Sequence, residues 1–165
     1  AGDTGIYVDA PSSEYLMSYD RPHDLTLSIY SRLPLGINAG ITAFYQSGPP
    51  YTPLIFNGRD PQSDVKNPNS KRQPPFRNVN LLFTKAFKYY GLTVNMGLNI
   101  QNVFNIINEL DIWQLTGTAD DPGEYYTDRV GLPDAEHDKP SSYYDRPWMY
   151  YSPRQMNFYI RIDFK

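Results

Sequence analysis

The last stretch of the chain, Gln155 to Phe164, alternates in polarity. Phe158, Ile160, Ile162 and Phe164 fall on one side, and Asn157, Tyr159, Arg161 and Asp163 on the other. Successive side chains of a β-strand point to opposite faces, so the pattern predicts a strand with one apolar and one charged face. Four earlier segments repeat it. Over 23–33, Leu25, Leu27, Ile29 and Leu33 oppose Thr26, Ser28, Tyr30 and Arg32. Over 37–47, Ile37, Ala39, Ile41, Ala43 and Tyr45 oppose Asn38, Gly40, Thr42 and Gln46, with Phe44 out of pattern. Over 76–88, Val79, Leu81, Phe83 and Phe87 oppose Asn78, Asn80, Thr84 and Lys88, with Leu82 and Lys85 out of pattern. The cleanest case sets Leu92, Val94, Met96, Leu98 and Ile100 against Thr93, Asn95, Gly97, Asn99 and Gln101. A further short strand is expected near Tyr15-Leu16-Met17.

Connection lengths organise these strands. Pro34-Leu35-Gly36 and Tyr89-Tyr90-Gly91 are tight turns, whereas 48–75 and 103–154 are long polar connections. In an antiparallel sheet the two short turns share one end and the two long connections the other. Loops this long are uncommon in compact soluble domains. Bacterial outer-membrane barrels combine short periplasmic turns with long extracellular loops, and strands of about ten residues span their hydrocarbon when tilted. A soluble antiparallel β-sandwich with Tyr-rich binding or adhesion loops has the same periodicity. The wet faces, built from Thr, Asn, Gly, Gln, Arg and Asp, favour a water-filled or plugged lumen. Five or six strands are too few to close a membrane barrel, and open sheet edges are excluded from lipid. A membrane reading therefore requires the wall to continue upstream or in a partner chain.

Composition changes this picture little. The chain has 165 residues, 40% of them hydrophobic, with a mean hydropathy of −0.57. No apolar run approaches the roughly 18 residues of a spanning helix. Fifteen Tyr form a heavy amphipathic load suited to an interface. With no Cys, disulfides and thiolate sites are excluded. The net charge of −3 and scattered basic residues argue against a nucleic-acid partner. The first residues, Ala1-Gly2-Asp3-Thr4-Gly5, lack the features of a signal peptide.

The order of motifs resembles the C-terminal end of TonB-dependent outer-membrane receptors. The resemblance runs from Tyr19-Asp20-Arg21-Pro22-His23-Asp24-Leu25, a late strand start, through Arg32-Leu33-Pro34-Leu35-Gly36, its following turn. Tyr45-Gln46-Ser47-Gly48-Pro49-Pro50-Tyr51-Thr52-Pro53 resembles the family's strand exit into an extracellular loop and is the most specific match. Asn99-Ile100-Gln101-Asn102-Val103-Phe104-Asn105 resembles a strand ending. Thr116-Gly117-Thr118-Ala119-Asp120-Asp121-Pro122-Gly123 resembles an acidic loop, and Ser152-Pro153-Arg154-Gln155 the lead-in to the last strand. The family's chains usually end on the aromatic residue, whereas Lys165 follows Phe164 here.

The resemblance implies an all-β fold: the last five or so strands of a large antiparallel transmembrane β-barrel of about 22 strands. Residues 1–165 would then be its C-terminal part, without the plug domain. It implies a bacterial outer-membrane location and import of a scarce nutrient of the siderophore, cobalamin, glycan or peptide class. The implied partners are outer-membrane lipid, the remainder of the barrel and its plug, TonB indirectly, and the barrel-assembly machinery. That machinery would read the strand bearing Phe158, Ile160, Ile162 and Phe164.

No catalytic constellation and no cofactor motif is present, so an enzyme is not expected. Asp24 and Asp111 are the only tempting carboxylates for an enzyme at a barrel mouth. His23 reads as structural. His137, within Asp134-Ala135-Glu136-His137-Asp138, reads as part of a solvated acidic loop. Asp120, Asp121, Glu124 and Asp128 lack the spacing of an EF-hand Ca²⁺ loop, so no metal site is expected. The functional candidates are aromatic and cationic loop residues. They are Tyr51, Phe56 and Arg59 in the first long connection, and Tyr125, Tyr126, Arg129, Tyr143, Tyr144, Arg146 and Trp148 in the second. Such residues fit either a bulky ligand or an interfacial aromatic belt. Arg154 and Arg161 are expected to face the lumen or a strand partner.

Overall fold

A computed structural model describes residues 14–56, 60–126 and 146–164. Nine strands appear among them: β1 (Asp24–Leu33), β2 (Ile37–Gln46), β3 (Pro50–Tyr51), β4 (Leu54–Phe56), β5 (Pro61–Ser63), β6 (Lys71–Arg72), β7 (Phe76–Tyr89), β8 (Leu92–Gln101) and β9 (Gln155–Asp163). The fold is all-β and antiparallel. Five strands form one sheet in the order β1-β2-β7-β8-β9, and β3-β6 and β4-β5 form two small pairs. The large sheet is open, with β1 and β9 as its edges. The five long strands lie where the alternation places them. Tyr15-Leu16-Met17 is irregular instead, and its neighbours make a turn closed by Asp20 N–H donating to Met17 O at 2.9 Å.

The register aligns the alternation across the sheet. Ile29, Ile41, Leu81, Ile100 and Met156 stand in one cross-strand row. Ser31, Ala39, Phe83, Leu98 and Phe158 stand in the next. The opposite face carries Tyr30, Gly40, Leu82, Asn99 and Asn157 in one row and Arg32, Asn38, Thr84, Gly97 and Tyr159 in the adjoining one. Apart from Ser31 at the β1 edge, one face is therefore apolar across these rows, and the other is rich in amides and hydroxyls. Leu82 does lie on the polar face and Lys85 on the apolar one, between Ile37 and Met96. Arg77, opposite Tyr45, is the second cation on the apolar face. The two are separated by roughly 27 Å of strand.

The apolar face is uncovered among the described residues: Leu25 is 64% exposed and Phe158 60%. Buried apolar side chains lie instead at the loop end, where Ala119, Met149 and Tyr150 cluster with Trp113 packed against them.

The turns at the other end are tight because both central residues take the left-handed conformation. In Tyr90-Gly91 the φ values are 47° and 82°, the signature of a two-residue type I′ hairpin whose twist matches its strands. Leu35 (64°) and Gly36 (72°) do the same between β1 and β2. On the polar face each edge strand lays a Tyr over a Gly of its neighbour. Tyr30 covers Gly40 and Tyr159 covers Gly97, and the ring replaces the missing side chain over the backbone.

Candidate ligand-binding site at the loop end

The long connections are ordered largely by side chains that hydrogen-bond to backbone. Beyond β8, Asn102, Asn105 and Asn108 recur at every third position. Asn102 accepts from Ile106 N–H at 2.8 Å and donates to Ile106 O at 2.9 Å. Asn105 accepts from Arg154 N–H at 2.9 Å, tying the exit of β8 to the entry of β9. Asn108 accepts from Arg77 N–H at 2.8 Å and donates to Arg77 O at 2.7 Å. Its amide thus stands in for a strand partner on β7 past the end of β8. Asn102 and Asn105 have φ of 53° and 51°, a conformation Asn tolerates better than most residues.

The second connection then folds on itself. Glu109 bridges Tyr150, Leu110 N–H donates to Met149 O at 2.8 Å, and Tyr151 N–H to Asn108 O at 2.9 Å. Ala119, fully buried, is held from both sides. Its N–H donates to Glu109 Oε2 at 3.0 Å, and its carbonyl accepts from the Trp113 indole at 3.2 Å. Burial, with the nearby Asp120 charge adding to it, pushes the Glu109 carboxyl up to about 7 against the lowering effect of the Ala119 N–H.

The first connection docks onto this lobe. Leu54 N–H donates to Gln114 O at 3.0 Å. The buried Tyr51 sets its hydroxyl where a side chain on Gly117 would stand, and burial pushes its phenol up. Tyr125 Oη donates to Asp60 Oδ1 at 3.0 Å. The rings of Phe56 and Tyr125 are 5.9 Å apart, those of Tyr125 and Tyr126 5.2 Å, and those of Tyr126 and Trp113 5.4 Å. The Arg146 guanidinium lies 5.8 Å from the Trp113 ring centroid, within cation–π range. Five side chains thus form one row crossing both connections. Arg72 fastens the base of the first connection by pairing with the Asp20 carboxylate and donating to Asp20 O at 2.9 Å and Gly48 O at 3.2 Å.

Of the residues singled out from sequence, Phe56, Tyr125, Tyr126 and Arg146 come together in this row. Phe56 is exposed, while Arg146 is buried beside Trp113. Tyr51 is an anchor between the connections and not an open surface. Trp148 is exposed, next to the buried Met149. Arg59, Arg129, Tyr143 and Tyr144, like Asp128 and His137, lie outside the described residues. Phe158, Ile160, Ile162 and Phe164 are all exposed. Arg161 is on the polar face, 3.3 Å from Asp163, and Arg154 N–H serves the Asn105 contact. Sequence reading missed Trp113, Glu109 and Asn108. The triplet spacing of Asn102, Asn105 and Asn108 was the one available signal for the last.

Among the described residues no three His, Asp or Glu side chains converge as a metal site requires. The polar face also carries an open groove of about 370 Å³ bordered by Tyr30, Arg32, Asn38 and Thr84, toward the short-turn end. No protein-family model matches the chain, nor does any curated protein or solved structure.

Proposed function

We propose that this chain forms consecutive wall strands of an outer-membrane β-barrel: the C-terminal part of a TonB-dependent receptor that imports a scarce nutrient. The observation that carries the reading is the apolar face of the five-stranded sheet, continuous over every strand and uncovered among the described residues. Five such strands left in water would expose an apolar patch larger than soluble proteins tolerate. Hydrocarbon suits that face, and a polar lumen suits the amide-rich one. The separation of Arg77 from Lys85 supports it. Once the strand is tilted, about 27 Å of strand approaches the height of the apolar band of such barrels, and long cations reach past its rims.

In this reading β1 and β9 pair with further strands, since unpaired edges cost several kcal/mol per backbone group in lipid. The aromatic row at the loop end recognises the nutrient, a siderophore, cobalamin, glycan or peptide. The chain performs no covalent chemistry, and its last strand is the one the assembly machinery engages.

The test is fractionation of the native polypeptide that carries this sequence. Retention in the outer membrane through urea or carbonate washing, with a denatured mass several times that of the chain's 19.0 kDa, is expected. Recovery as a folded protein without detergent would replace the reading with a soluble sandwich displaying Tyr-rich loops, its apolar face covered by a second sheet.

A further inference from the structure

The charged residues of the five-stranded sheet are sorted by face. Its two carboxylates, Asp24 and Asp163, are both on the polar face, in register with Gln46 and Thr93. The apolar face carries Arg77 and Lys85 and no carboxylate. The two cations stand four residues to either side of Leu81, which lies in the row of Ile41 and Ile100. Four residues are about 14 Å of strand, or about 10 Å of height at a tilt of about 45°. The apolar band of a barrel wall is about 25 Å tall, so each Cα sits just inside one rim and each long stem reaches past it.

The two rims differ. At the loop end Arg77 is exposed, and its guanidinium has neither a hydrogen bond nor an ion pair among the described residues. Its backbone N–H and C=O are both bonded to the Asn108 amide, so the stem starts from a fixed point. Arg154 stands two residues before Met156, so the strand period places it on the apolar side and not toward the lumen. Met156 shares the row of Leu81, which puts the Cα atoms of Arg154 and Arg77 about 12 Å apart. Arg154 Nη1 makes only a long 3.4 Å contact with Val103 O. The nearby carboxylates are turned away. Asp24 accepts from Gln46 Nε2 at 2.7 Å on the polar face, and Glu109 accepts from Ala119 N–H inside the lobe. At the turn end Lys85 is the one cation on this face of the sheet.

Resting on the membrane-wall reading above, we propose that Arg77 and Arg154 form a phosphate-binding rim on the outside of the wall, occupied by the phosphorylated headgroup of a lipid in the loop-side leaflet. A guanidinium beside hydrocarbon is costly unless it is paired. Its planar fork of donors matches a phosphate, which it holds through two parallel N–H···O bonds. A phosphate between two arginines, with no carboxylate on that face, meets attraction alone. The acyl chains of the same lipid lie along Val79 and Leu81, below Arg77 on the same face. Lys85 offers a point charge without the fork, so headgroup capture belongs to the loop end.

The test uses the full polypeptide that carries this sequence, in detergent micelles, titrated with dioleoyl phosphatidate and read by native mass spectrometry. Phosphatidate should be retained and dioleoylglycerol should not. Arg77→Gln and Arg154→Gln should each weaken retention about fivefold. Arg77→Lys keeps the charge and loses the fork, so it should fall between wild type and Arg77→Gln, and it gives a second reading if Arg77→Gln does not fold. Lys85→Gln should match wild type, and inorganic phosphate should not displace the lipid. Unchanged retention in both Gln variants, an equal loss in Lys85→Gln, or full displacement by inorganic phosphate would each overturn the proposal. Any of these in a polypeptide that stays in the outer-membrane fraction defeats the rim alone, whereas recovery as a folded protein without detergent defeats both rim and wall.

Discussion

The ring of Tyr159 on β9 lies directly across Gly97 on β8, so that a Cβ on Gly97 would fall inside it. Gly97 is buried although it sits on the polar face of an otherwise open sheet. The glycine is required by the tyrosine, and the tyrosine shields the backbone that the glycine exposes. Gly97→Val should destabilise the β8–β9 pairing by about 1–3 kcal/mol, the usual result of forcing volume into an occupied site. Tyr159→Ala should cost less and should relieve most of the Gly97→Val penalty. A double-mutant cycle on urea midpoints checks this, and strictly additive effects would show that ring and glycine are independent.

Ile100 stands in the middle row of the apolar face, and Asn99 next to it faces the other way. Ile100→Lys should cost about 2–4 kcal/mol if the position lies near a bilayer midplane. Asn99→Lys should be much milder. Refolding into lipid vesicles measures both, and equal tolerance would defeat the assignment of the two faces.

Asn108 holds both backbone groups of Arg77. Asn108→Ala should destabilise the loop end by about 1–3 kcal/mol, because it leaves a donor and an acceptor without their partner. Asn108→Asp keeps the acceptor and loses the donor, so it should fall between wild type and Ala. Hydrogen exchange at the Arg77 amide separates the cases: protection should persist in the Asp variant and vanish in the Ala variant.

Leu35 is almost fully exposed at φ 64°, where a branched side chain is strained and Asn is tolerated. Leu35→Asn should therefore raise stability by about 1 kcal/mol in detergent solution. An unchanged denaturation midpoint would mean that Leu35 gains, from apolar surroundings at the turn, as much as the backbone loses.

The long strands were legible because a two-residue period survives wherever a sheet has one wet and one dry face. The tight turns were legible from Gly36 and Gly91. The departures, Leu82 and Lys85, kept the register that the rest of β7 imposes, since a slip of one position would have inverted every other side chain. The small pairs β3-β6 and β4-β5 were not legible. Two or three residues carry no period, and their pairing follows from how the connection lands on the 113–118 turn. Trp113 and Glu109 were missed for a related reason. Their roles arise from contacts with Ala119, Tyr126 and Arg146, which neither spacing nor composition encodes. Tyr51 is legible as an aromatic loop residue, yet Gly117, against which its hydroxyl packs, lies in the other connection.

The separation between a packed lobe and an unpacked sheet has a consequence for how this sequence can drift. At Ala119, enclosed on all sides, any larger residue collides with a neighbour, so the lobe constrains size and shape. At Leu25 or Phe158, more than half exposed, the neighbours limit size little, so mainly the preference for an apolar group remains. The chain therefore obeys two substitution grammars, one that spells out individual residues at the loop end and one that fixes only an alternating rhythm along the strands. Distant relatives written in the second grammar would share the rhythm of this chain while sharing few of its letters.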